Sequence, residues 1–123
     1  RTRFTGFISD SDLVDLTMSA DVLVVPSIYE PFGIVALEGM AAGIPVVASN
    51  VGGLAEIIEH DRSGVLVYPR NPQSIAWGVN RVLSDPGYSR WLADNARMRV
   101  RDSYTWEAVA KKTAKAYERA CAE

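Results

Sequence analysis

The sequence predicts an α/β domain: a Rossmann-like parallel sheet with helices on both faces. Three observations predict it. Val22–Val25 and Pro45–Ala48 are continuous rather than alternating apolar runs, as expected of strands covered on both sides. Segments with apolar residues at helical spacing alternate with those runs, each opened or closed by capping chemistry. Sharp turn signals, Asn50-Val51-Gly52-Gly53 and Gly64, separate them.

Arg3–Ile8 is a short aromatic and β-branched run, read as a first strand over Arg3–Phe7. Ser9-Asp10-Ser11-Asp12 then offers N-caps for a helix whose stripe carries Leu13, Leu16 and Ala20. Val22–Val25 is the next strand, closed by Pro26-Ser27. Gly33–Ala42 reads as a helix with Gly43 as its C-cap. After the Pro45–Ala48 strand and the Gly52-Gly53 turn come a short helix, Leu54–Glu59, and a third short strand, Val65–Tyr68. Asn71-Pro72 is an N-cap followed by a first-turn proline, leading into a stripe of Ile75, Val79, Val82 and Leu83. Asp85-Pro86-Gly87 breaks that helix, and Trp91, Leu92, Ala96 and Val100 resume the pattern. Thr105 caps a last helix, with Trp106, Val109, Ala110, Thr113 and Tyr117 as its expected buried face. Trp77, Trp91 and Trp106 are expected to be packing anchors rather than a sugar-stacking platform.

Composition narrows the function classes. The 123 residues are 48% hydrophobic and 23% charged, which suits one domain with its own core. A net charge of −2 argues against a general nucleic-acid or membrane-surface binder. The single cysteine, Cys121, cannot form an internal disulfide, and no metal-ligand spacing is present. A reducing, cytoplasmic setting is expected, with no membrane span. Arg1-Thr2-Arg3-Phe4 lacks a starting methionine and a signal-peptide pattern, so the chain is expected to be a part of something longer.

Chemistry concentrates in Glu30-Pro31-Phe32-Gly33-Ile34-Val35-Ala36-Leu37-Glu38. A helix start at Phe32–Val35 presents unpaired N–H groups and the positive end of the helix dipole, a setting that favours an anion by about 0.3–2 kcal/mol. Glu30 falls in the loop after a strand, where open α/β sheets bind ligands. Glu38 is the lone charge between Gly33 and Gly43. A carboxylate in either place can accept hydrogen bonds from vicinal hydroxyls, although an isolated glutamate is more often an exposed surface acid. Gly52-Gly53 either aims N–H groups at a ligand or simply makes the turn. His60, in Glu59-His60-Asp61-Arg62-Ser63-Gly64, reads as a surface residue at a helix end.

Taken together, Pro26-Ser27-Ile28-Tyr29-Glu30-Pro31-Phe32-Gly33, the Glu30/Glu38 spacing, Met40–Val47 and Val51–Glu56 resemble retaining glycosyltransferases of family 4, which include archaeal-type glycogen synthases. Ser63–Val67, the Pro72 helix start and Tyr104-Thr105-Trp106 extend the resemblance over nearly the whole chain. The resemblance implies a two-domain (GT-B type) enzyme, with residues 1–123 forming part of the C-terminal, nucleotide-sugar-binding domain. It implies that Glu30 meets donor-sugar hydroxyls and that the backbone of Phe32, Gly33 and Ile34 meets sugar and diphosphate. Glu38 would bind ribose, and Gly6 and Phe7 would rest against the base. No cofactor or metal is implied; the nucleotide-diphospho-sugar is a substrate, and the N-terminal domain of the parent enzyme is the expected partner.

One departure stands out. Residues 4 to 61 contain neither Lys nor Arg, whereas the family uses an Arg and a Lys on the diphosphate. Weak donor binding and no turnover by this chain alone are therefore expected. By the family's topology, the resemblance implies that the Arg3–Phe7 strand pairs with a strand absent here and that Val22–Val25 loses its neighbour too. Such an edge should be closed by re-docking of the first strand or by pairing with a second copy. Two other readings remain at this level: a non-catalytic nucleotide or sugar-phosphate binder, and an inert structural fragment.

Overall fold

The computed structural model describes residues 1–122. Six helices and three strands follow one another: α1 (Asp10–Met18), β1 (Leu23–Val25), α2 (Ile34–Ala42), β2 (Val46–Ser49), α3 (Gly52–Ile57), β3 (Val65–Val67), α4 (Pro72–Ser84), α5 (Pro86–Ser103) and α6 (Trp106–Cys121). The sheet is parallel in the order β1-β2-β3, with Leu23 opposite Val46 and Val47 opposite Val65.

β2 is buried along its whole length, and its side chains alternate between two apolar layers. Val46 and Ala48 join Ala36 and Met40 of α2, Leu54 and Ile57 of α3 and Ala96 of α5. Val47 joins Val65 and Val67, with Val82 of α4 and Leu92 of α5. Helices therefore cover both faces, as the unbroken apolar runs require. Full burial of Met40, Leu54 and Leu92 is worth about 1.5–3 kcal/mol each.

The helix boundaries follow local chemistry. Ser9, Asn71 and Thr105 accept hydrogen bonds from the N–H groups of Asp12, Ser74 and Ala108 as side-chain N-caps. Asp85 closes α4 and opens α5, its carboxylate accepting from Gly87 and Tyr88 N–H. Gly43 ends α2 in the left-handed conformation at φ 76°. α3 begins at Gly52 rather than at Leu54, and β3 stops at Val67 rather than Tyr68.

Three expectations fail. Residues 1–8 form no strand, and Phe4 and Phe7 are fully exposed. A strand needs a neighbour to satisfy its backbone, and β2 occupies the only side of β1 that is paired. The first segment consequently does not re-dock onto β1. The stripe on α6 is not buried: Trp106 is 90% exposed and Tyr117 70%. That helix packs chiefly on α5, and none of its described residues is buried. Trp77 and Trp91 are likewise about half exposed rather than core anchors.

Candidate functional site

The loops that leave the C-terminal ends of β1 and β2 are locked together by backbone. Gly53 N–H donates to the Glu30 carbonyl at 2.9 Å. A side chain could not be accommodated there: a Cβ on Gly53 would lie 2.0 Å from the Phe32 carbonyl oxygen, and one on Gly52 would lie 2.1 Å from the Glu30 carbonyl oxygen. The sequence offered ligand-facing N–H groups or a simple turn for this glycine pair; the geometry shows a close approach of two loops, which neither reading contained.

Glu30 is half-buried and turned onto its own loop. Its carboxylate accepts from Gly33 N–H at 3.1 Å and from the Ser27 hydroxyl at 3.4 Å. Ser27 was not singled out from the sequence; the three-residue spacing to Glu30 was the available signal. Gly33 is the N-cap of α2 at φ 100°, a left-handed conformation suited to glycine, and has no side-chain cap. Among the described residues the N–H groups of Ile34 and Val35 have no protein acceptor. The positive end of α2 therefore faces outward beside exposed Phe32, Ile34 and Val35.

Glu38 lies one turn further along α2 and is exposed. It lines a cavity of about 590 Å³ between α1 and α2, with Asp10, Leu13, Val14, Thr17, Met18, Ala41 and Ala42. Gly6 and Phe7 lie just upstream of Asp10 on the segment that enters α1, Gly6 at φ 65°. The Glu38 cavity forms one neighbourhood, whose lining includes neither Gly6 nor Phe7, and the Glu30 loop with the α2 start forms a second. The lining of the Glu38 cavity does not include Glu30. At the end of β2, Ser49 Oγ is fully buried without a protein partner.

Chemically, this end of the sheet offers free N–H groups, two carboxylates and apolar walls. It suits hydroxyl acceptance and the seating of an anion, although no cation stands on residues 4–61 to neutralise one. Among the described residues no His, Cys, Asp and Glu side chains are grouped as a metal site, and no helix is long and apolar enough to cross a membrane.

Residues 1–99 match the family model for glycosyl transferases group 1. An uncharacterised glycosyltransferase of Methanocaldococcus jannaschii is 56% identical over 115 residues, covering 94% of this chain and 30% of that protein. Glycogen synthase of Mycobacterium tuberculosis is 44% identical over 116 residues, again 94% of this chain and 28% of the relative. The structure of HepE from Anabaena in complex with UDP and glucose superposes with a TM-score of 0.85 at 30% identity, covering 95% of this chain and 32% of that one. The chain thus spans about 30% of the length of these relatives. With the family model spanning most of its length, the chain belongs to the group 1 glycosyl transferases.

Proposed function

We propose that this chain supplies the donor-binding half of a retaining hexosyltransferase. It would belong to the C-terminal domain of a GT-B enzyme, acting in the cytoplasm with an N-terminal acceptor domain. The intact enzyme would break the bond between a hexose and a nucleoside diphosphate and form a bond from the same carbon, on the same face, to an acceptor hydroxyl. Glucose transfer to a growing glucan is the reading favoured by the glycogen synthase relationship.

The observation that carries the proposal is the uncapped, outward-facing start of α2 at Gly33, with Glu30 in its approach loop and Glu38 one turn on. In this reading the Ile34 and Val35 N–H groups and the dipole receive the departing diphosphate. Backbone at Phe32–Ile34 meets the sugar and phosphate, Glu30 orients sugar hydroxyls, Glu38 holds ribose, and Gly6 and Phe7 flank the base. The HepE structure containing UDP and glucose supports a nucleotide-sugar ligand. Basic groups for the diphosphate would come from outside residues 4–61, so this chain alone would bind donor weakly and turn nothing over. The unpaired side of β1 would be covered by other parts of the enzyme or by a second copy.

Calorimetric titration with UDP-, ADP- and GDP-sugars, and with the nucleoside diphosphates lacking a sugar, tests the proposal. A preference among donors, weakened at least about tenfold by Glu38→Ala, is the expected result. Nucleotide binding indifferent to the sugar would favour a non-catalytic binder; no binding at all would favour an inert module. Unchanged affinity in Glu38→Ala would remove the ribose assignment.

A further inference from the structure

A second cavity, of about 600 Å³, lies along β3, the edge strand opposite β1, lined by Asn50, His60, Leu66, Val67, Tyr68, Asn71, Gln73, Ser74 and Trp77. Its size falls in the range of small-molecule sites. The lining contains no Asp, Glu, Lys or Arg. An ionic ligand would lose water there without gaining a countercharge. A strand of another chain is also poorly served, because outward donors of β3 and its exit are already occupied. Leu66 N–H donates to His60 Nδ1 and Tyr68 N–H to Ser74 Oγ, each at 3.0 Å.

What the cavity does offer is neutral and bifunctional. Among the described residues the side-chain amides of Asn50 and Gln73 make no protein hydrogen bond, and Asn71 uses only its oxygen, accepting from Ser74 N–H. Each amide carries both donor and acceptor capacity. Two aromatic rings stand beside them, Tyr68 at 72% exposure and Trp77 at 48%. The Arg81 guanidinium lies over the Trp77 ring at 5.3 Å, a cation–π contact. Flat apolar rings next to uncommitted amides match a ligand with C–H faces and a rim of hydroxyls.

We propose that this cavity is a neutral-oligosaccharide site, separate from the donor site. The choice of a saccharide from among polyhydroxylated ligands rests on the glycosyltransferase reading; the position of the site does not.

The test is a heteronuclear NMR titration of the 123-residue chain with maltohexaose and, separately, with mannohexaose and UDP-glucose. The Trp77 indole and the side-chain amides of Asn50, Asn71 and Gln73 should shift saturably with at least one oligosaccharide. Trp77→Ala should weaken that binding by at least about fivefold, and Trp91→Ala should not. Asn50→Ala combined with Gln73→Ala, which removes no protein hydrogen bond, should weaken it similarly while the rest of the spectrum stays in place. Absence of shifts with either oligosaccharide, or shifts indifferent to both the Trp77 and the Asn50/Gln73 variants, would overturn the proposal. Oligosaccharide shifts here without UDP-glucose shifts at Ile34 and Glu38 would leave this site standing and remove the donor reading.

Discussion

Leu66, in the middle of β3, gives its N–H to Nδ1 of His60 across the turn that introduces the strand. The imidazole does for this edge what a neighbouring strand would do: it consumes a donor that otherwise invites another chain. Ser74 Oγ repeats the device at Tyr68. His60→Ala should therefore cost about 1 kcal/mol and raise concentration-dependent association, read by urea unfolding and sedimentation velocity. His60→Asn, which keeps an acceptor, should recover part of both. Full stability and a purely monomeric His60→Ala variant would show that the edge needs no guard.

The loop lock predicts a steeper penalty. Gly53→Ala would drive a Cβ into the Phe32 carbonyl, which is backbone and cannot rotate away. A loss of about 1–3 kcal/mol is expected, together with displaced Phe32 and Gly33 amide signals. Gly6→Ala meets nothing within 4 Å and should cost only about 1 kcal/mol, from its φ of 65°. Equal costs at the two positions would refute close approach as the role of Gly53.

Arg99 on α5 gathers the end of α3. Its guanidinium donates to the Ile57 carbonyl at 2.6 Å, to the Glu56 carbonyl at 3.1 Å and to the Glu59 carboxylate. Three acceptors held by one planar fork are not reproduced by an ammonium. Arg99→Lys should lose about 1–3 kcal/mol, close to the loss in Arg99→Met. Recovery of wild-type stability by lysine would mean that charge alone suffices.

How much of this was legible depended on whether the decisive partner is near in sequence. Val46–Ser49 and Val65–Val67 were readable because burial on both faces writes itself as unbroken apolarity. Ser9, Asn71 and Thr105 were readable because a cap and its N–H partner lie three residues apart. Glu30 was placed in the loop at a sheet end and Glu38 on the helix after Gly33, but the inward turn of Glu30 toward Ser27 and Gly33 was not foreseen. The His60–Leu66 bond and the amide-lined cavity depend on how a turn and two elements fold back together, for which periodicity carries no signal. On α6 the pattern spoke correctly of an apolar side at Trp106, Val109 and Tyr117, yet a stripe cannot say what will cover it.

That stripe yields its own prediction. Trp106→Ser and Tyr117→Ser should each change stability of this chain by no more than about 0.5 kcal/mol, because neither side chain is buried here. Leu92→Ala, fully buried against Val82 and the sheet, should cost about 2–5 kcal/mol. A large loss from Trp106→Ser in the isolated chain would mean that α6 packs in solution against something in the chain itself.

The last prediction concerns Tyr88, whose hydroxyl donates to Asp61 Oδ1 at 2.7 Å while Arg81 reaches the other carboxylate oxygen at 3.0 Å. Burial, then the hydrogen bond to Asp61 and its charge, push the phenol from 10.0 up to about 12. Folding favours the protonated phenol, so this contribution is complete below pH 10 and is lost as pH rises towards about 12. Burial alone would raise the Asp61 carboxyl. The Tyr88 hydrogen bond and the charges of His60 and Arg81 outweigh it and hold the group below 3.8. Its contribution is therefore present above pH 3.8 and fades as acid carries the folded protein through the lowered value. Urea midpoints of wild type and Tyr88→Phe, measured from acid to alkaline pH, separate the two limbs. The variant should lose the part of the alkaline decline that Tyr88 causes, and its acid limb should be smaller, because Asp61 has lost a donor and is held less far below 3.8 in the folded protein. Parallel profiles for the two proteins would mean that neither group is coupled to folding through this bond.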